Sequence, residues 1–168
     1  MKEGYRNEML SFEDRDVTCC FTGHRPQKLH QSEEEVLEGL EKAILQAYAD
    51  GYRTFITGMA MGVDIWAGET VLKLKDSHPD MRLIAAVPYP GQERNFPHEW
   101  KLKYAELLAG CDHAEILSGS YTRGTYHARD RWMVDHSKRV IAVYNGEPGG
   151  TALTIQYAKK EGLELRGI

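Results

Sequence analysis

The sequence predicts an α/β fold, a three-layer sandwich in which a mostly parallel sheet lies between two layers of helices. Three observations predict it. Short apolar segments alternate with longer segments of helical periodicity along most of the chain, as βαβ units require. The clearest strand candidates, LIAAV at 83–87 and VIAVY at 140–144, are continuously apolar, which suits strands covered on both faces. The 168 residues contain no repeat or linker and fit one core.

The elements follow in order. Residues 1–15 read as a flexible N-terminal extension and 16–168 as a single domain, because Met9 and Leu10 offer the extension little to bury. Residues 17–22 form the first strand candidate. Ser32 then opens a helix as the cap of an S-x-x-E box with Glu35. Leu37, Leu40, Ile44 and Ala47 recur at helical spacing, and Gly51 follows where a left-handed residue ends a helix. A strand at 53–57 precedes a helix with Val63, Ala67, Val71 and Leu74 on one stripe. After the strand at 83–87, Pro97 opens a helix whose Trp100, Tyr104, Leu107 and Leu108 face one way. A short strand at 114–117, a helix at 125–137, a strand at 140–144, a helix at 151–160 and an edge strand at 163–168 complete the pattern.

Composition removes several function classes. Lys plus Arg is 21 against 25 for Asp plus Glu, a net charge of −4 that disfavours nucleic acid as a partner. No apolar run approaches the ~20 residues of a membrane span, and the polar N-terminus does not resemble a signal peptide. Cys19, Cys20 and Cys111 make no disulfide framework, so a reduced cytoplasm is the expected compartment. Cys19 and Cys20 lie in a strand and read as core. The seven histidines have no compact metal-ligand spacing, so no metal is expected, and no cofactor is implied. Neither GxGxxG, GxxxxGK[ST] nor GxSxG occurs.

In an open parallel sheet, ligands bind outside the carboxyl ends of the strands. The loops on that rim read TGHRP (22–26), TGMAMGVD (57–64), PYPGQERNFP (88–97), SGSYTRG (118–124) and NGEPGGT (145–151). They hold nine of the 16 glycines together with His24, Arg25, Arg94 and Arg123, whereas the opposite rim is short and bland. Glycine lets backbone N–H groups approach oxygens, helix starts add positive charge, and arginine grips phosphate with a planar fork. The expected ligand is therefore an anion, with phosphate the best fit.

Some residues carry two readings. Gly149-Gly150-Thr151 is a phosphate cradle or simply a turn before a helix capped by Thr151. Asp64 meets a ribose hydroxyl or only steadies a helix start. Tyr89, Phe96 and Tyr121 stack on a base or pack within the protein. Arg129, one turn into a rim helix, adds to the positive site or forms with Asp130 an exposed helical pair worth little. Outer apolar residues such as Trp132 would permit a homodimer, and core burial explains them equally well. The candidate ligand-binding residues are Gly23, His24, Arg25, Gly58, Met59, Gly62, Asp64, Tyr89, Arg94, Gly149, Gly150 and Thr151.

TGHRP, TGMAMGVD and RDRWMVDHSKRVIAVYNGEPGGT, taken as an ordered set from about Thr18 to Ala158, resemble the YpsA-like branch of the SLOG superfamily. That superfamily also holds the DNA-processing protein DprA and the LOG phosphoribohydrolases. The resemblance implies a Rossmann-like sheet whose glycine-rich loops bind a nucleotide or nucleotide-derived ligand, and a branch proposed to sense such ligands. Gly58, Gly62 and Asp64 match the DprA-like G-x-A-x-G-x-D loop, while Gly150, Thr151 and Thr154 match the glycine-led helix start. LOG enzymes carry PGGxGTxxE at that helix, and Gln156 stands here where their glutamate serves catalysis. An amide is no general base at neutral pH, so catalysis is not expected. The expected function is that of a cytoplasmic sensor of a nucleotide or ADP-ribose-like molecule. A LOG-type phosphoribohydrolase, with Asp64 or Glu93 replacing the glutamate, and a DprA-type single-stranded-DNA binder are the alternatives.

Overall fold

The computed structural model describes residues 12–168. Residues 1–11 of the expected extension therefore lie outside the described residues, and Phe12–Val17 forms a 3-10 turn leading into the sheet. Six strands follow, β1 (Thr18–Gly23), β2 (Thr54–Thr57), β3 (Arg82–Val87), β4 (His113–Ile116), β5 (Arg139–Val143) and β6 (Glu164–Gly167). The helices between them are α1 (Glu33–Ala49), α2 (Val63–Lys75), α3 (His98–Gly110), α4 (Thr125–Asp135) and α5 (Gly150–Lys160). Each expected element is present, with ends moved by one or two residues. The expected capping box is complete: Glu35 N–H donates to Ser32 Oγ and Ser32 N–H to the Glu35 carboxylate. In α1 the buried stripe is Val36, Leu40, Ile44 and Ala47, leaving Leu37 half-buried beside it.

All strand pairs are parallel, in the order β4-β3-β2-β1-β5-β6. The chain travels from β1 toward one edge and then crosses to β5, beside β1, before ending at the other edge. Strand alternation divides the core accordingly. Cys19, Phe21, Phe55, Leu83 and Ile141 face α1, α2 and α3. Cys20, Ile56, Ile84, Val140 and Ala142 face α4 and α5 with Met133 and Ile155. Both cysteines are fully buried, and burial pushes the Cys20 thiol up to about 12, so they are core residues, as expected. Central strands are sealed on both faces, while β6 is exposed throughout and β4 at alternate residues.

This order puts the topological switch point between β1 and β5. The loops leaving their carboxyl ends diverge there, opening a crevice that a sheet with a single winding direction would lack.

Candidate functional site

That crevice is a hollow of about 280 Å³. Phe21, Thr22 and Gly23 of β1, His24, Arg25 and Lys28 after it, and Pro148, Gly149, Gly150 and Thr151 before and in α5 line one part. Ala60, Met61 and Asp64 of the β2–α2 segment line another, with Tyr126, Arg129, Asp130 and Met133 of α4 completing it. The two loops at the switch point are tied together, since Asn145 Nδ2 donates to the Lys28 carbonyl at 2.8 Å and Asn145 Oδ1 accepts from Glu147 N–H at 2.9 Å.

Of the twelve candidate residues, seven line the hollow: Gly23, His24, Arg25, Asp64, Gly149, Gly150 and Thr151. The other five lie elsewhere. Met59 has a left-handed backbone (φ 61°) and a side chain fully buried in the core below α2. Gly58 lends its carbonyl to Arg129. Gly62, at φ 93°, caps α2, and a Cβ there would stand 2.7 Å from Pro26 Cδ, so glycine is what lets the two loops nest. Tyr89 hydrogen-bonds Tyr126 at 3.2 Å rather than reaching the hollow itself. Arg94 folds back over Gly91 of its own turn. Phe96 packs edge-on against Tyr104 at 6.1 Å, against the core.

Two features suit an anion. Thr151 does not cap α5; the N-cap is Gly149, at φ 145°, and it makes no side-chain cap bond. The first bond of this turn runs from Leu153 N–H to the Gly149 carbonyl. The preceding amides are therefore available at the positive end of the helix dipole, and nothing lies within 4 Å of where a Cβ on Gly149 or Gly150 would sit. In the same lining, His24 is 7% exposed and stacked on Tyr144 at 5.5 Å, and its buried Nε2 has no hydrogen-bond partner. A buried polar atom left unpaired costs about 1–3 kcal/mol.

The wall supplied by α4 is one that residue-by-residue reading of the sequence misjudges. Arg129 is 6% exposed, which corrects the expectation of an exposed helical pair. Its Nη1 donates to the Gly58 carbonyl at 2.6 Å and its Nε to Asp130 at 2.8 Å. Asp64 is equally buried and accepts one bond, from Ala60 N–H at 3.3 Å. Burial raises its carboxyl to about 6, against the opposing pull of Arg129 and with a smaller push from Asp130. Burial and the Tyr89 hydroxyl push the Tyr126 phenol up to about 12, so it stays neutral. Gln156 is exposed on α5 and lines a separate outer groove between α4 and α5. Glu93 is likewise absent from the hollow, leaving Asp64 and Asp130 as its carboxylates.

A doubly covered parallel sheet with a glycine-lined hollow at its switch point defines a Rossmann-like α/β scaffold. The chain belongs to the YspA SLOG family, whose model (YpsA) matches residues 19–164. It is 27% identical over 154 residues to a UPF0398 protein of Bacillus cereus, spanning 84% of this chain and 82% of that protein. It is 32% identical over 120 residues to the SPbeta prophage-derived protein YoqJ of Bacillus subtilis, spanning 63% of this chain and 69% of that protein. Among solved structures, DNA processing protein A (DprA) of Streptococcus pneumoniae superposes with a TM-score of 0.64 at 19% identity over 90% of this chain, which spans 50% of that protein. DprA of Helicobacter pylori, described for its single-stranded DNA binding mode, gives a TM-score of 0.60 at 17% identity, spanning 93% of this chain and 66% of that protein. These two likenesses establish the shared fold. No helix among the described residues is long and apolar enough to cross a membrane.

Proposed function

We propose that this protein binds a phosphorylated, nucleotide-derived small molecule in the switch-point hollow and acts as a cytoplasmic sensor or regulator, without chemistry of its own. One observation carries this reading: His24, whose buried Nε2 is unpaired, lines the same small space as the open start of α5. In the bound state the α5 amides and Arg25 hold phosphate, with Lys28 adding charge at the rim. Asp64 accepts from a sugar hydroxyl. Arg94 would join only by swinging away from Gly91.

A thermal-unfolding panel of nucleoside mono- and diphosphates, NAD and ADP-ribose tests the reading. A ligand at ~100 times its Kd adds about 2.7 kcal/mol, a rise of roughly 5–10 °C for a chain of this size. No response from any member, with cooperative unfolding intact, defeats it.

Single-stranded DNA is the rival occupant, raised by the H. pylori DprA and set against the expectation that nucleic acid is not a partner. It requires a cationic track beyond the hollow, and its affinity would fall steeply with salt. The net charge of −4 weighs against it. Hydrolysis of a nucleoside monophosphate would have to use Asp64 or Asp130, the two carboxylates of the hollow, because the Gln156 position lies outside it. Release of free base from such a substrate, lost in Asp64→Asn or Asp130→Asn, would replace the sensor reading with an enzymatic one.

A further inference from the structure

Tyr89, Tyr121 and Tyr126 come from three separate segments of the rim, after β3, after β4 and in the first turn of α4, yet they form one cluster. Ring centroids lie 5.5 Å apart for Tyr89–Tyr121 and 6.0 Å apart for both Tyr89–Tyr126 and Tyr121–Tyr126, all tilted or edge-to-face. None of the three belongs to either hydrophobic core. Tyr121 is 60% exposed, and the other two are half-buried. The cluster therefore holds aromatic surface in water without sealing the sheet, an expense that folding does not explain.

Its position supplies the explanation. Tyr126 is part of the wall of the hollow, its hydroxyl is held by Tyr89 at 3.2 Å, and the Arg129 guanidinium lies 5.6 Å from its ring centre. The ring is thus fixed in orientation before any ligand arrives. At about 280 Å³ the hollow falls just below the ~300–1,000 Å³ of sites that enclose a whole drug-sized molecule. A nucleotide seated by its phosphate would carry its ring system out to this rim.

We infer that the Tyr89–Tyr121–Tyr126 cluster is the stacking platform for an aromatic base, so that the bound class is a base-bearing nucleotide and not a bare sugar phosphate. This rests on the hollow being the phosphate site. Stacking engages the π-face that every base has, so the platform favours a base over none far more than one base over another.

Isothermal titration with adenosine 5′-monophosphate and ribose 5-phosphate, on the full chain, separates the two claims. The wild type binds the nucleotide at least tenfold tighter, about 1.4 kcal/mol. The surface variant Tyr121→Ala, outside the hollow, erases most of that preference while ribose 5-phosphate affinity stays within twofold; Tyr126→Leu erases the preference as well, and Tyr126→Phe keeps it. Tyr144→Leu, outside the cluster and stacked on His24, leaves it unchanged. Equal wild-type affinity for both probes overturns the platform while sparing the phosphate site. So does a preference that survives Tyr121→Ala in folded protein, or one lost in Tyr144→Leu instead. If neither probe binds, the phosphate reading fails and the platform with it.

Discussion

Replacing Arg129 with methionine destabilises the protein by about 3–5 kcal/mol, the range for removing one partner from a buried charged pair, and lowers the unfolding midpoint by roughly 10 °C. The side chain is 6% exposed and bridges two elements, donating to the Gly58 carbonyl on the β2–α2 loop and to Asp130 on its own helix. Methionine fills much of the same volume but leaves both acceptors short of a donor and removes the cation that eases Asp64. Lysine does not rescue the loss, because a single ammonium lacks the planar fork that meets two acceptors at once. Urea titration of the two variants measures this directly. A change below about 1 kcal/mol would reduce Arg129 to an ordinary surface ion pair.

Asp64→Asn has the opposite sign. The folded protein keeps the Asp64 proton up to about pH 6, whereas the unfolded chain releases it near the ordinary value of 3.8. Below pH 3.8 both states are protonated and the site costs nothing. As pH rises between those values, unfolding releases a proton and stability falls. Above pH 6 the full cost of a desolvated carboxylate is in place, about 3 kcal/mol at roughly 1.4 kcal/mol per pH unit. The asparagine variant is therefore more stable than wild type at pH 8 by up to about 3 kcal/mol, and equal to it at pH 3.5. It also loses affinity for a ribose-bearing ligand, since the acceptor for a sugar hydroxyl is weakened. Stability that is independent of pH between 4 and 7, or a variant less stable at pH 8, would place Asp64 in a solvated setting. The two sites are coupled: the part of the Arg129→Met loss that comes from Asp64 returns when Asp64 is already asparagine, a double-mutant cycle with a coupling above 1 kcal/mol.

The buried Asp64 carboxylate, only partly offset by Arg129 and the Ala60 amide, is a stability cost, and the unpaired His24 Nε2 is a second of the same kind. Both residues line the hollow.

The fold was legible because strand and helix periods alternate without interruption and because continuous apolar strands imply cover on both faces. The rim was legible too, since a parallel sheet puts its binding loops at one end. What local patterns did not reveal was depth. Arg129 beside Asp130 looks solvated, and its burial is decided by a carbonyl 71 residues away. A signal did exist, since Thr125, Arg129 and Met133 form an i, i+4, i+8 stripe whose outer members are buried, making the arginine between them inward-facing. Glycine misled in the other direction. Gly58 and Gly62 share a motif with Asp64, yet their task is to let loops nest against Arg129 and Pro26. Tyr126 and Asn145 carry no distinguishing pattern, because their roles depend on partners 37 and 117 residues away.

Amide-resolved NMR titration with adenosine 5′-monophosphate tests the central claim most directly. The account predicts saturable shifts concentrated at Gly23, His24, Arg25, Gly149, Gly150 and Thr151, with a downfield movement of the α5 amides that meet phosphate. Saturable shifts centred instead on the α4–α5 outer groove or on the opposite rim, with these six amides unmoved, would contradict it.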